Sequence, residues 1–558
     1  MSEKAYRQAM NFIENEKQFH LGFLPTEQSS PLTKNLDKEF AASSVDGVRC
    51  LQRVDRNVLE MAKRIFRSGE FAGLVETGKK TIADGGRIVF SGCGATGRLS
   101  ILLECMWRDC CFKNESVKQH ADQVFSIMTG GDYALVRSVE FFEDYQEFGR
   151  QQVREMGMDG NDMLVAITEG GETSSVLGTV DEALRRGSKV FLMFNNPADL
   201  LAEHLERSRQ AIRNPGVCVL DLHCGPMGLA GSTRMQATTS EQLIAGGALE
   251  MIMCGLLKQV PPDYTAAFET LLDELEASAP AIASYIDFEA EIYRKKGKVT
   301  YFADDFLLDI FTDTTERSPT FMLPPFRKKD DKISPPPWAF VKNPVRTTPE
   351  VWENGMHRPL RCLEWTPEDY RRMGAPEAIR RNPPQIRAAE LLKFEVGMES
   401  PEERCDSGGD AAVLVTVGGQ GGSPVLQQAF DRISTGFRYQ KKLAVGGDCP
   451  ADFKITVSCD ASPLHLMEHM AVKLVLNTVS TGIMVVLGRV TGNWMSWVDV
   501  TNKKLMDRGI RLISEIGGIG YEESCIRLFE AVEELEKSRI PAKEKPSAVQ
   551  YVLNAMKK

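Results

Sequence analysis

The sequence predicts an α/β fold built from two parallel β-sheets in tandem, with helical segments at both ends. Short apolar runs recur along the chain, and most end in a cluster of Gly, Ser, Thr or Asn that leads into a helix-forming stretch. Because the runs are continuous rather than alternating, they indicate strands buried on both faces, as in a three-layer αβα sandwich. The pattern occurs twice within 558 residues, a length that accommodates several domains of roughly 100–200 residues each.

Five apolar runs are predicted to form the strands of the first sheet. They span residues 87–91, 123–128, 163–168, 189–194 and 218–222. An amphipathic helix over 57–78 precedes them, and a helix beginning near Arg98 follows the first run. Ligands of open parallel sheets bind outside the carboxyl ends of the strands. Since the glycine-rich clusters lie at those ends, they predict a binding site there.

A second copy of the pattern follows, with a run over 298–302 and another over 411–417 that ends in GGQGGSP. Its apolar helix over 472–488 parallels the helix over 241–257 of the first copy, which indicates an internal repeat. Its opening turn, ADDF at 303–306, contains no glycine. The second copy is therefore predicted to carry a degenerate loop.

These patterns divide the chain into four predicted parts. Residues 322–346 are rich in Pro and Lys and are predicted to form a long loop inside the second domain. The parts are a helical N-terminal segment over 1–70, a first domain over 71–275, a second domain over 276–502 and a helical C-terminal cap over 503–558.

Composition excludes several classes of protein. The net charge of −10 argues against nucleic-acid binding, because affinity for the phosphate backbone needs clustered Lys and Arg. No apolar run approaches the roughly 20 residues of a membrane span, and the N-terminus lacks the apolar core of a signal peptide. The 13 scattered Cys indicate reduced thiols, and none has zinc-ligand spacing. We therefore expect a cytoplasmic protein without a metal or cofactor.

The turn after the first strand can be interpreted in two ways. Gly92, Gly94 and Gly97 match the spacing of a dinucleotide fingerprint, but no acidic residue closes the next strand, as that motif requires. The alternative is a cradle for a single phosphate, in which Thr96 and the N–H groups of the following helix bind the anion.

A second turn of the same kind favours the phosphate interpretation. Gly171, Thr173, Ser174 and Ser175 stand where the third strand passes into its helix. Hydroxyl residues at one such position could be simple helix N-caps. Two matching turns at the same sheet edge are better explained by one bound phosphate monoester.

Three acidic residues, Glu140, Glu143 and Asp144, follow the second strand and are candidates for proton transfer. Glu140 and Glu143 share a face if this segment is helical, and a solvated charged face is the alternative. The seven His do not pair with any nucleophile motif, so Ser–His or Cys–His hydrolysis is unsupported.

Four stretches of the chain resemble one known family. They are TE at 26–27 with LT at 32–33 and LD at 36–37, GCGATGRL at 92–99, GPMGLAGSTRM at 225–235, and KLVLNTVSTG at 473–482 continuing to DVTNKKL at 499–505. Together they resemble the sugar isomerase (SIS) domain proteins, in the branch shared by N-acetylmuramic acid 6-phosphate etherases and glucokinase regulatory protein. The layout of two domains and a helical cap resembles glucokinase regulatory protein most.

The resemblance implies two flavodoxin-like domains that form an intramolecular pseudo-dimer, within a monomer or a homodimer, with one intact and one degenerate pocket. It also implies the residues that bind the substrate. These are Gly92, Gly94, Thr96, Gly97, Gly171, Thr173, Ser174, Glu143, Ser232, Arg234 and Lys473. Glu143 and Glu316 match the acids that an etherase would use for catalysis.

The sequence departs from the family pattern at four positions. Met106 stands near the place of an etherase glutamate in the first copy, and Gln242 stands where the second copy has Lys473. Met227 and Gln236 replace a Glu and a Lys of the signature. These departures put catalysis in doubt.

The resemblance implies a protein that binds a sugar phosphate, a carbohydrate derivative, and acts as a ligand-dependent regulator of a sugar kinase. The alternative is an etherase that releases D-lactate from N-acetylmuramate 6-phosphate. An aldose–ketose isomerase and a sugar-phosphate transcriptional regulator are further alternatives, but no helix-turn-helix with a basic face is evident.

Overall fold

The computed structural model describes residues 2–139, 141–405, 408–500, 502–538 and 546–556. Two of the positions named above, Glu140 and Thr501, lie outside the described residues. The chain forms two five-stranded parallel sheets, as predicted. We call the parts of the chain that carry them the first and the second domain.

The first sheet has the strand order β2-β1-β3-β4-β5. Its strands are β1 (Ile88–Gly92), β2 (Val124–Met128), β3 (Met163–Ile167), β4 (Lys189–Phe194) and β5 (Val217–Asp221). All five predicted runs are confirmed to within one residue at each end. Alternate residues of β1 enter cores on opposite faces of the sheet, since Ile88 and Phe90 belong to one cluster and Val89 to another.

The second sheet repeats this connectivity, with the order β10-β9-β8-β6-β7. Its strands are β6 (Val299–Phe302), β7 (Ala339–Lys342), β8 (Ala411–Val417), β9 (Tyr439–Val445) and β10 (Phe453–Ile455). In each sheet the domain's first strand lies between its second and third strands, so the predicted repeat is confirmed. The prediction of an unbroken loop over 322–346 is wrong, because β7 lies inside it as four buried residues.

Helices cover both sheets and form the two ends of the chain. Up to the second sheet they are α1 (Glu3–Asn15), α2 (Leu36–Ala42), α3 (Ser44–Gln52), α4 (Asp55–Ile65), α5 (Gly69–Ala83), α6 (Ala95–Lys113), α7 (Tyr133–Val136), α8 (Gln146–Met156), α9 (Ser174–Arg185), α10 (Ala198–His204), α11 (Glu206–Ile212), α12 (Gln236–Leu257), α13 (Tyr264–Ala277) and α14 (Ala279–Arg294). The rest are α15 (Leu307–Phe321), α16 (Thr348–Met356), α17 (Pro367–Arg372), α18 (Glu377–Arg381), α19 (Ala388–Leu391), α20 (Pro424–Ile433), α21 (Leu466–Val486), α22 (Lys503–Gly517), α23 (Tyr521–Lys537) and α24 (Ala548–Met556). A two-stranded ribbon, β11 (Val490–Thr491) and β12 (Trp494–Met495), precedes the cap.

Two predicted helices have different bounds. The helix predicted over 57–78 is broken into α4 and α5, because Ser68 accepts a hydrogen bond from the N–H of Phe71 at 3.1 Å and caps a new helix. The helix predicted from Arg98 begins three residues earlier, after Gly94.

The two longest apolar helices, α12 and α21, form the centre of the molecule. Contrary to the expectation from the sequence, both are long and apolar enough to cross a bilayer by composition alone. The most apolar windows of these helices are 78% and 83% buried inside the protein. The apolar surface of α12 and α21 is thus buried in the core of the protein.

A buried ion pair joins the two domains. Arg234, just before α12, donates to the carboxylate of Asp313 on α15 at 3.0 Å, and Arg317 donates to the same carboxylate at 3.0 Å. Burial alone would raise the pKa of Asp313, but Arg317 and Arg234 hold it below its ordinary value. The guanidinium of Arg234 also donates to the hydroxyls of Ser480 and Thr481 on α21.

The N-terminal segment and the C-terminal cap are joined in the same way. Glu27 is buried and accepts hydrogen bonds from Arg508 at 2.8 Å and from Arg511 at 3.0 Å. Burial opposes the ionisation of this carboxyl, yet these partners lower the pKa of Glu27 to about 2. The cap is therefore held against the chain's beginning by buried charge as well as by apolar contact.

We expect the variant Arg234→Met to be strongly destabilised. It leaves the buried Asp313 with one cationic partner, and breaking a buried pair costs about 3–5 kcal/mol of unfolding free energy. The control is Arg381→Met, which removes an exposed pair with Glu377 and should change stability by less than about 0.5 kcal/mol. Urea unfolding followed by circular dichroism measures both. Equal losses in the two variants would contradict the structural role of the pair.

Candidate functional site

The turn between β1 and α6 is shaped by its glycines. A Cβ on Gly92 would lie 2.4 Å from the carbonyl of Thr96, and Gly94 has φ +57°. The buried hydroxyl of Thr96 donates to the carbonyl of Cys93 at 2.8 Å and accepts from its N–H at 3.0 Å. Since its proton is used inside the loop, Thr96 shapes the turn, and the N–H groups of the first turn of α6 are the donors available for an anion.

The turn between β3 and α9 is the second half of the predicted site. Gly171 has φ +78°, and a Cβ there would lie 2.5 Å from the side chain of Leu201. Thr173 stands at the N-cap position of α9, but its side chain does not cap the helix; its hydroxyl accepts from Thr168 at 3.0 Å. Simple N-capping therefore does not explain this hydroxyl. Because β1 and β3 are neighbours, the turns that follow them lie next to each other at the carboxyl edge of the sheet, while α6 and α9 pack on its opposite faces.

The second domain contributes two charged side chains to this place. Glu316 forms an ion pair with the fully buried Arg98 of α6. The ammonium of Lys473 donates to the carbonyl of Arg234 at 2.9 Å and to the side chain of Asn477 at 2.7 Å. Both side chains line a cavity of about 30 Å³ together with Ala95 of α6. Glu316 and Lys473 thus reach the helix that follows the glycine loop of the first domain.

The pKa of Lys473 is lowered towards neutral pH by its surroundings. Burial and then the nearby positive charge of Arg234 lower the pKa of Lys473 to about 8. Asp55 lies within its electrostatic reach, and burial raises the pKa of that carboxyl to about 7 although Lys473 opposes the rise. An anion arriving at the cavity would favour the charged form of Lys473.

Two acids of the site were not predicted. Burial raises the pKa of Glu169, just after β3, to about 8, and the charge of Glu316 adds to the rise. Glu241 on α12 is fully buried and accepts from Asn195 at 3.0 Å, and burial raises its pKa well above its ordinary value. A carboxyl in a helix whose only other charged residue is Glu250 is the sequence signal that could have identified Glu241.

Glu143 lies at the edge of the site, on an exposed turn. The preceding residue, Phe142, is buried and stacks on Trp365 of the second domain, with ring centroids 6.0 Å apart. The charge of Glu143 adds to the burial that raises the pKa of the Cys93 thiol in the glycine loop. Glu143 also contributes to the raised pKa of Lys504, although Glu172 and Glu27 contribute more.

The remaining predicted residues make contacts within the fold. Ser232 is buried in a turn before α12, where its N–H donates to the carbonyl of Leu229 at 2.9 Å. Gly97 packs under Met128, since a Cβ there would lie 2.9 Å from that side chain. Arg234 lies at the domain interface and also lines the small cavity. Within the described ranges, no group of three or more His, Cys, Asp or Glu is arranged to hold a metal ion.

Comparison with known proteins gives consistent findings. Residues 70–184 match the family model described as the glucokinase regulatory protein N-terminal SIS domain. The chain is 31% identical over 248 residues to an N-acetylmuramic acid 6-phosphate etherase of Crocosphaera subtropica, with 44% of this chain and 71% of that protein covered. It is 30% identical over 240 residues to the etherase of Rippkaea orientalis, with 42% of this chain and 69% of that protein covered.

Among solved structures, the tagatose-6-phosphate ketose/aldose isomerase from Escherichia coli is similar, with a TM-score of 0.45 at 10% identity, over 82% of this chain and 96% of that one. The glycine loop, the repeated sheet and these sequence matches agree. The chain belongs to the SIS-domain family, in the branch that contains the N-acetylmuramic acid 6-phosphate etherases and glucokinase regulatory protein.

Proposed function

We propose that this chain binds a sugar phosphate at the carboxyl edge of the first sheet. The phosphate would rest on the N-termini of α6 and α9, and the sugar would face Glu316 and Lys473. The observation that carries this proposal is that Ala95, the first residue of α6 after the glycine turn, lines one cavity together with Glu316 and Lys473 of the second domain. Helix N-termini bind anions through their free N–H groups and their dipole.

Anion capture must be local in this protein, because its net charge of −10 is unfavourable to an incoming phosphate. Lys473 supplies a positive charge at the site that offsets this unfavourable net charge. With a pKa of about 8 it is mostly protonated at neutral pH, and a bound phosphate would raise the protonated fraction further.

The size of the cavity is consistent with a regulatory role. At about 30 Å³ it has room for only a few water molecules, so we infer that a sugar enters only if the walls supplied by the two domains move apart. Ligand binding would then change the domain interface around Arg234 and Lys473. A partner protein bound at this interface would then respond to the ligand. We propose that the partner is a sugar kinase and that both proteins are cytoplasmic. The match to a glucokinase regulatory protein domain supports this choice.

An etherase is the second candidate, and the pair Glu169–Glu316 favours it. Release of lactate needs a base for the proton at C2 and an acid for the departing oxygen. Glu169, with a pKa of about 8, is mostly protonated at neutral pH and could serve as the acid, and Glu316, which forms an ion pair with Arg98, could serve as the base. Against catalysis, the same ion pair occupies the proposed base.

Binding can be measured by thermal shift with fructose 1-phosphate, fructose 6-phosphate, glucosamine 6-phosphate and N-acetylmuramate 6-phosphate. At least one should stabilise the protein by about 2.7 kcal/mol when present at about 100 times its Kd. Ser174→Ala and Lys473→Met should remove the shift, because in the proposed complex each deletes a group that would contact the phosphate or the sugar.

The matched control is Ser423→Ala. Ser423 is the N-cap of α20 in the second domain, the position next to that of Ser174 in α9, and its hydroxyl accepts from the N–H of Leu426. Its loss should cost about 1 kcal/mol of stability and leave the ligand shift intact. If no sugar phosphate shifts the wild type, the proposed site is wrong.

Incubation with N-acetylmuramate 6-phosphate and an assay for lactate separates the two candidates. We expect no lactate at an enzymatic rate, because Glu316 is engaged with Arg98. If the second candidate is right, turnover occurs and falls about 10²- to 10⁴-fold in Glu169→Gln and in Glu316→Gln. Turnover with that sensitivity would replace the regulatory proposal by the etherase.

A further inference from the structure

The second domain has its own cavity at the place where the first domain has the proposed sugar-phosphate site. It measures about 450 Å³ and lies at the carboxyl ends of β6, β7 and β8, closed on one side by α6 of the first domain. Ligand pockets in proteins measure about 300–1,000 Å³. The cavity is therefore large enough for a small molecule, although the loop that opens this domain has lost its glycines.

The charges around this cavity disfavour a phosphate. Asp304 and Asp305 stand where the first copy has its glycine loop, and Asp304 accepts from Asn343 at 2.9 Å and pairs with Arg346. The basic side chains that line the wall each contact a carboxylate of the same wall. These pairs are Lys113–Asp109, His357–Asp109, His465–Glu468 and His469–Asp309.

Two buried polar atoms of the wall have no hydrogen-bond partner among the described residues. They are Nε1 of Trp352, which is 2% exposed, and Oδ1 of Asp309, which is 5% exposed. An unsatisfied buried donor or acceptor costs about 1–3 kcal/mol, so each needs an explanation. Both side chains line the cavity, and a ligand there would supply the missing partners.

The two atoms have opposite requirements, which restricts the ligand. The indole N–H needs an acceptor, and the carboxylate oxygen needs a donor. An ammonium group offers only donors and a phosphate dianion only acceptors, so either would leave one atom unsatisfied. Hydroxyl groups donate and accept. Apolar ring faces complete the wall, with Trp352 stacked on Phe311 at 5.5 Å between centroids and Phe306 nearby.

We propose that this cavity binds an uncharged polyhydroxyl ring, an unphosphorylated sugar, through Trp352 and Asp309. The site is separate from the proposed sugar-phosphate site but shares a wall with it, since Leu102 and Asp309 line both cavities. The repeat would then hold two related sites that differ in the charge of the ligand they accept.

Isothermal titration of the full-length protein with glucose and N-acetylglucosamine tests the proposal, with glucosamine and glucose 6-phosphate as charged comparisons. At least one uncharged compound should bind with a Kd below about 10 mM. Trp352→Phe keeps an aromatic ring but removes the N–H, and should weaken binding about tenfold. Asp309→Asn, which replaces one of the two carboxylate oxygens by an amide, is the second variant if Trp352→Phe does not fold.

Trp338→Phe is the matched control. Trp338 lies in the second domain away from the cavity, against Tyr293, so its loss should leave binding unchanged. Saturation with a sugar phosphate should also leave the uncharged compound bound, which keeps this test separate from that of the first site. The proposal is overturned if no uncharged compound binds, if both Trp variants lose affinity equally, or if a sugar phosphate displaces the compound completely.

Discussion

The carboxylate of Asp313 is the group on which the arrangement of the two domains depends. It is buried and accepts hydrogen bonds from four side chains, Arg234, Arg317, Asn477 and Ser480. A buried carboxylate is tolerated only when its partners are all in place. Since Arg234 comes from the first domain and the others from the second, this requirement stabilises the arrangement in which the domains meet in the absence of a ligand.

The proposed site is a consequence of that constraint. Glu316 lies one turn along α15 from Asp313, so the ion pair that anchors Asp313 also places Glu316 against Arg98 of α6. Lys473 donates to the backbone of Arg234 itself. The first domain supplies glycine turns and helix N-termini, and the second supplies charge.

Much of the first sheet could be predicted from the sequence because its strands are continuous apolar runs buried on both faces. The same signal identified β6 and β8. It missed β9, whose first residues are partly exposed and include Gln440 and two lysines, and β10, which has only three residues. The break between α4 and α5 depends on one Ser–Gly cap inside an otherwise regular apolar pattern.

The site was predictable where it depends on local geometry. Gly92, Gly94 and Gly171 are required by positive φ or by close backbone approach, and such needs appear in the sequence as glycine clusters. Glu169 was not identified as an acid of the site, because its raised pKa arises from burial and from Glu316, which is far away along the chain. The role of Thr96 also depends on tertiary detail, since its hydroxyl bonds to its own loop rather than facing the sheet edge.

The central claim is that the second domain completes the sugar-phosphate site of the first. A crystal structure of the protein with glucosamine 6-phosphate tests this most directly. We predict the phosphate at the N-termini of α6 and α9, with Lys473 or Glu316 within hydrogen-bond distance of the ligand and the domains shifted to admit it. A ligand contacted only by residues of the first domain, with the domains unmoved, would contradict the account.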